Sequence, residues 1–184
     1  RLIMVASAFS GEGKTFSAVN LAFALARERD WEVLLVDADV AKPNVTHAFG
    51  LDERPGLLDC LADESADAES IIVRTDVGGL SVLPAGHFSE ETATELLASA
   101  RMRDVLLRIA AANPRRIVLF DSPPLLLTTE SQVLAGLVGQ IVLVIRAGVT
   151  QRHAVADAVA LLDPTKAIGV ILNQSSIADP DTYG

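Results

Sequence analysis

Aromatic side chains are scarce in this chain: six Phe, one Trp and one Tyr in 184 residues. A core with so few rings must be filled by Val, Leu, Ile and Ala, which suits buried parallel strands covered by helices. Cysteine is nearly absent. The lone Cys60 rules out an intrachain disulfide and fits a reducing compartment. Its place just after Gly56-Leu57-Leu58-Asp59 reads as a small buried hydrophobe. Positive charge is in deficit, 15 Lys and Arg against 24 Asp and Glu, so the net charge of −9 argues against a nucleic acid or an anionic membrane surface as direct partner. No stretch reaches the about 18 apolar residues of a membrane-spanning helix. The longest, Val133 to Ile145, is interrupted by Gln140. No secretory leader is visible, since the first apolar run feeds a glycine-rich turn and not a cleavage site. His47, His87 and His153 lie in polar surroundings without metal-ligand spacing and read as surface residues. The chain opens at Arg1, on the threshold of a strand and without Met, and is expected to be a domain of a longer protein.

What is present is an alternation. Apolar runs predict strands at Leu2–Ala6, Glu32–Val36, Leu80–Leu83, Arg116–Phe120, Ile141–Ile145 and Ile168–Leu172. Helical patterns fall between them, at Thr15–Arg29, Gly56–Ala62, Glu130–Leu137 and Thr150–Leu162, with one or two helices within Glu90–Ala112. Ile71-Ile72-Val73 reads equally as a short edge strand or a helix end. In the first helix, Phe16, Val19, Phe23 and Ala26 form an apolar stripe expected to face inward, widened by Ala18, Leu21, Ala22 and Leu25. Thr150 or its neighbour is expected to cap the last helix. This is the α/β pattern of one mostly parallel sheet with helices on both faces. A single domain is expected over residues 1–174, followed by a flexible acidic tail, 175–184, that carries Tyr183.

One stretch organises the rest: Ala8-Phe9-Ser10-Gly11-Glu12-Gly13-Lys14-Thr15, between the first strand and the first helix. A glycine-rich turn there aims backbone N–H groups into one concavity, and the helix N-terminus adds partial positive charge. Phosphate oxygens fit such a nest, with Ser10 to Phe16 as its binding segment. Lys14 would reach the β- and γ-phosphates and the Thr15 hydroxyl would ligate Mg²⁺. The pattern Gly-x-x-x-x-Gly-Lys-Thr departs only at its first glycine, Ala8, where a small residue is expected to make the same turn. Three aspartates stand just past strand ends, where open α/β sheets build their sites: Asp37, Asp39 and Asp121. A hard cation wants oxygen ligands of this kind. Asp121 is expected to hold Mg²⁺ directly or through water. Asp37 is expected to share the metal or to take a proton from an attacking nucleophile, and Asp39 can reach the same cavity.

Ser7 to Thr15, with Val33 to Pro43 and Ile117 to Pro124, resembles the bacterial tyrosine kinase family, cytoplasmic autokinase domains linked to capsule and exopolysaccharide export. Gly56-Leu57-Leu58-Asp59, Val82 to Gly86 followed by Glu95-Leu96-Leu97, and Val170 to Asn173 agree with it. The resemblance implies a P-loop fold related to the MinD and ParA ATPases, with ATP and Mg²⁺ as cofactors. It implies a Walker A motif at Lys14 and Thr15, a Walker A′ motif at Asp37 and Asp39 that assists deprotonation of the attacking tyrosine, and a Walker B aspartate at Asp121. Asn173 matches a position that contacts the purine base, although a turn-forming Asn explains it nearly as well. Tyr183, the one tyrosine, is the implied phosphoacceptor, presented to a neighbouring copy in a homo-oligomer. A membrane polysaccharide co-polymerase or activator is the implied partner, with the domain held at the inner face of the cell membrane. The chain departs from the family at Ala41, where an arginine is usual; with Lys42 beside it, it is similar to the subset associated with exosortase systems. Ser131 replaces a frequent aspartate, the tyrosine-rich tail is reduced to one residue, and the family's ring-assembly motif would lie ahead of Arg1. Two other readings compete. A MinD/ParA-type switch that dimerises on ATP usually has a further lysine where Phe9 stands. An inactive nucleotide-binding scaffold would account for Ala8, Ala41 and the single tyrosine.

Overall fold

Parallel strands cannot be joined by tight hairpins, so apart from one antiparallel edge pair the strands here are joined by helices and loops that cross a sheet face. The structure, a computed structural model, describes residues 1–175 apart from the Glu90 side chain; Tyr183 lies outside the described residues. The elements run β1 (Leu2–Ser7), α1 (Lys14–Ala26), β2 (Glu32–Asp37), α2 (Asn44–Ala48), α3 (Leu57–Ala62), α4 (Ala68–Ile71), β3 (Val73–Arg74) and β4 (Leu80–Leu83). They continue with α5 (Glu90–Leu97), α6 (Ala100–Ala112), β5 (Arg116–Asp121), α7 (Thr129–Leu137), β6 (Gln140–Arg146), α8 (Arg152–Ala160) and β7 (Ala167–Asn173). The sheet order is β3-β4-β2-β5-β1-β6-β7. All pairs are parallel except β3 with β4. The ambiguous Ile71-Ile72-Val73 stretch is both things at once: Ile71 ends α4 and Val73 begins the antiparallel edge strand. The long helical stretch is two helices that break at Ser99.

The central strands are buried on both sides, and their side chains alternate between two cores. Met4, Leu34, Val118 and Phe120 face one core, beneath α3, α5, α6 and α7. Val5, Val33, Leu35 and Leu119 face the other, beneath α1. Of the inward set expected for α1, the small residues hold that place and the two phenylalanines do not. Ala18, Ala22 and Ala26 are buried, four residues apart on one face, whereas Phe16 is 67% exposed and Phe23 36%. Helix α1 packs on β1, β2 and β5 together, and small side chains let it approach that sheet closely. Phe23 packs against Phe49 from outside, with ring centroids 6.3 Å apart.

This order has one consequence for function. Strand β5 lies between β1 and β2, so the carboxyl ends of the three come together at one edge. The register puts Asp37 directly beside Asp121.

Candidate active site

The phosphate loop depends on two glycines with left-handed backbone, Gly11 (φ 81°) and Gly13 (φ 92°). Ala8 is not in that region, which is why alanine serves where the motif has glycine. Its turn is held from outside: the Leu125 N–H donates to the Ser7 carbonyl (2.9 Å) and the Leu126 N–H to the Ala8 carbonyl (3.2 Å). The first hydrogen bond of α1 runs from the Ser17 N–H to the Gly13 carbonyl (2.9 Å). The N–H groups of Lys14, Thr15 and Phe16 precede that bond and face the concavity as anion donors. The cavity there, about 210 Å³, is lined by Ser10, Gly11, Gly13, Lys14, Thr15, Phe16, Asp39 and Lys42 among others.

Two functional side chains of the loop converge on one carboxylate. Lys14 Nζ donates to Asp121 Oδ1 at 2.8 Å and to Asp39 Oδ2 at 3.2 Å, and Thr15 Oγ1 donates to Asp121 Oδ2 at 2.7 Å. Lys14, Asp39 and Asp121 are all buried, so the ammonium is what makes two carboxylates tolerable there. Burial pushes the Asp39 carboxyl above its ordinary range, and the Lys14 charge pulls it back.

Asp37 is fully buried and has no cation partner among the described residues. Its Oδ2 accepts from the Thr46 N–H and the Thr46 hydroxyl, both at 2.8 Å, while Oδ1 has no partner among the described residues. Burial raises its carboxyl from 3.8 to about 7; the two Thr46 bonds oppose this, and the charges of Asp121 and Asp39 add to it. A carboxyl near neutrality with one open oxygen is suited to take up a proton at working pH. The residues also fit a hard cation. Among the described residues no cluster of three or more acidic, His or Cys side chains holds a metal alone. Mg²⁺ does not need one: it takes one or two carboxylates and completes its shell with phosphate oxygens and water. Asp121, the Thr15 hydroxyl and the open oxygen of Asp37 are donors of that kind.

Other candidate residues take different places. The Glu12 side chain turns away from the nest: its carboxylate accepts from the Phe9 N–H (2.9 Å) and from the Thr150 hydroxyl, bracing the loop against the turn after β6. Thr150 therefore ties down the phosphate loop, and Gln151 occupies the cap position of α8. Asn173 Nδ2 donates to the Glu12 carbonyl (2.9 Å), and a Cβ at Gly13 would stand 1.9 Å from that nitrogen. Phe16 lines the cavity rim. Sequence reasoning missed Thr46 and Thr150, whose contacts follow no motif. Beside Lys42 a second cavity of about 440 Å³ opens between Val40, Phe88, Ala93, Leu97 and Pro123. Cys60 is buried in the core, and burial pushes its thiol up to about 11.

A family model described as an AAA domain matches residues 1–169. Tyrosine-protein kinase YwqD of Bacillus subtilis (strain 168) is 35% identical over 184 residues, covering 99% of this chain and 76% of YwqD. The chain is a member of the bacterial tyrosine kinase family, built on an AAA domain. Its kinship extends to much longer proteins: the succinoglycan biosynthesis transport protein ExoP of Rhizobium meliloti (strain 1021) is 33% identical across the whole chain, which spans 23% of ExoP. The crystal structure of the VpsO kinase domain superposes with a TM-score of 0.84 at 34% identity, covering 96% of this chain and 85% of that one. The fold is that of the nucleotide-binding P-loop ATPases. MinD of Pyrococcus horikoshii OT3, solved with Mg-ADP, matches with a TM-score of 0.72 at 26% identity, covering 94% of this chain and 69% of MinD. No helix among the described residues is long and apolar enough to cross a membrane.

Proposed function

We propose that this kinase domain transfers the γ-phosphoryl group of ATP to tyrosine, with Tyr183 of a neighbouring copy as acceptor, in exopolysaccharide or capsule production. The observation that carries the reading is the convergence of Lys14 and Thr15 on Asp121, with Asp39 on the same ammonium and Asp37 in register alongside. An ordinary phosphate loop needs one acidic partner; two further buried carboxylates supply a base for a hydroxyl nucleophile.

The N–H groups that open α1 would hold the ATP phosphates, with Lys14 and Lys42 at the γ end. The 440 Å³ cavity adjoins that γ end through Lys42 and gives an aromatic acceptor room to approach. The tyrosine oxygen forms its bond to the γ-phosphorus as the bond to the bridging oxygen breaks; ADP keeps that electron pair, and the phenolic proton passes to Asp37. Lys14 leaves its carboxylates to follow the charge on the transferring group. Asp121 and Thr15 would hold Mg²⁺, which would supply charge neutralisation at the phosphate oxygens. The longer relatives support a membrane-bound activator as partner and a place at the inner face of the membrane.

Incubation with Mg-ATP followed by detection of phosphotyrosine tests this. The parent is expected to become labelled, Lys14→Met to lose the label, and Tyr183→Phe to lose it as well. Label retained in Tyr183→Phe moves the acceptor elsewhere. ATP-dependent dimers that release phosphate without phosphotyrosine favour the MinD-type switch, and a protein that binds nucleotide without turnover is a scaffold.

A further inference from the structure

Thr46 lies in α2, just outside the Val33 to Pro43 segment, and is 4% exposed. Its hydroxyl is engaged on both sides. It accepts from the Ala85 N–H at 3.0 Å and stands 2.8 Å from Asp37 Oδ2. A backbone N–H can only donate, so a lone pair of Oγ1 is committed to Ala85 and the hydroxyl proton is free to go to Asp37. The Thr46 N–H donates to the same carboxylate oxygen, also at 2.8 Å. Among the described residues Oδ2 therefore carries two donors and Oδ1 none.

We propose that Thr46 is a positioning residue for phosphoryl transfer: it fixes Asp37 through Oδ2 and leaves Oδ1 as the oxygen that meets the reacting groups. The proposal rests on the kinase reading of the site. Two donors on one oxygen set the rotation of the carboxylate plane as well as its place, which a single bond does not. The same hydroxyl joins Asp37 to the segment after β4. There the Leu57 and Leu58 N–H groups donate to the Pro84 and Ala85 carbonyls at 2.8 and 2.9 Å, and the chain runs on to Phe88 in the wall of the 440 Å³ cavity. Thr46 thus sets the acid and that wall in one frame.

Thr46→Val keeps the branched shape and the N–H and removes the hydroxyl; Thr46→Ser keeps the hydroxyl; Thr46→Cys offers a weak donor. The full chain is assayed with Mg-ATP for kcat and KM of autophosphorylation, and Mg-ATP affinity is measured separately. Thr46→Val is expected to lower kcat by about 10- to 100-fold while KM and affinity for Mg-ATP stay within about twofold, with Thr46→Ser close to the parent and Thr46→Cys between. Parent-like kcat in Thr46→Val overturns the proposal, as does a loss shared equally by binding and kcat, or one that Thr46→Ser fails to recover. If Thr46→Val does not fold, equal kcat in the Cys and Ser variants overturns it. A parent that hydrolyses ATP without making phosphotyrosine sinks the kinase reading alone, and the same ranking is then read on phosphate release. A parent that does neither sinks both.

Discussion

Asp37 and Asp121 are the same residue at the same edge of the sheet, paired in register and equally buried, yet their surroundings differ in kind. Asp121 faces an ammonium and a hydroxyl from the phosphate loop. Asp37 faces a threonine and a backbone N–H, with one oxygen left over. The difference is the sign of the neighbour. A cation compensates a buried carboxylate, whereas neutral donors only soften the desolvation that drives Asp37 to about 7. Two aspartates side by side are thereby given different surroundings, one paired with a cation and one with neutral donors only.

Breaking the cation-held half should have the largest effect. Lys14→Met leaves Asp39 and Asp121 buried without their common partner, and a loss of about 3–5 kcal/mol in denaturant-monitored stability is expected. Phosphotyrosine formation should fall by about 100-fold or more in the same variant. Breaking the other half should act in the opposite direction on stability. The folded protein retains a proton on Asp37 that the unfolded chain gives up near 3.8, so stability contributed by this group is present at low pH and is lost as pH rises toward about 7. Asp37→Asn removes that loss. The nucleotide-free variant should be more stable than the parent at about pH 8 by a few kcal/mol, with a flatter stability profile between about pH 4 and 7, and it should not transfer phosphate. Denaturant midpoints across that range check the sign; a parent that gains stability on passing from about pH 5 to 8 through this group would contradict it.

Smaller effects sharpen the comparison within the loop itself. Gly13→Ala puts a Cβ on a residue with φ of 92° and 1.9 Å from Asn173 Nδ2, so a loss of about 1–3 kcal/mol is expected, with weakened Mg-ATP binding by calorimetry. Ala8→Gly relieves nothing, because Ala8 is not in the left-handed region. It should lower the melting temperature slightly, by under about 1 kcal/mol in stability, through added freedom of the unfolded chain.

The site was legible in the sequence where its logic is local. The phosphate loop declares itself by spacing between a strand and a helix, and each acidic residue by its place after an apolar run. Thr46 was not legible, because its partners lie nine and 39 residues away and no spacing rule connects them. The Glu12–Thr150 brace spans 138 residues and was equally hidden. Within α1 only the two phenylalanines were misplaced, and for a different reason. Hydrophobicity ranks Phe above Ala, but a helix laid against three strands needs small side chains at its contact, and the phenylalanines are left outside.

By itself the sequence determined the main strands and helices, the order in which they follow, and that an aspartate closes β2 and another β5; α2 carried no such signal and Ile71-Ile72-Val73 read either way. Periodicity and turn chemistry are properties of neighbours in the chain, so they can be read there. The tertiary structure decided that β5 inserts between β1 and β2, which brings Lys14 and Asp121 together across 107 residues and sets Asp37 beside them. It also decided that Lys14 faces Asp121 and that, among the described residues, only Thr46 donates to Asp37, because desolvation and the nearest cation depend on what packs around a group and not on what precedes it.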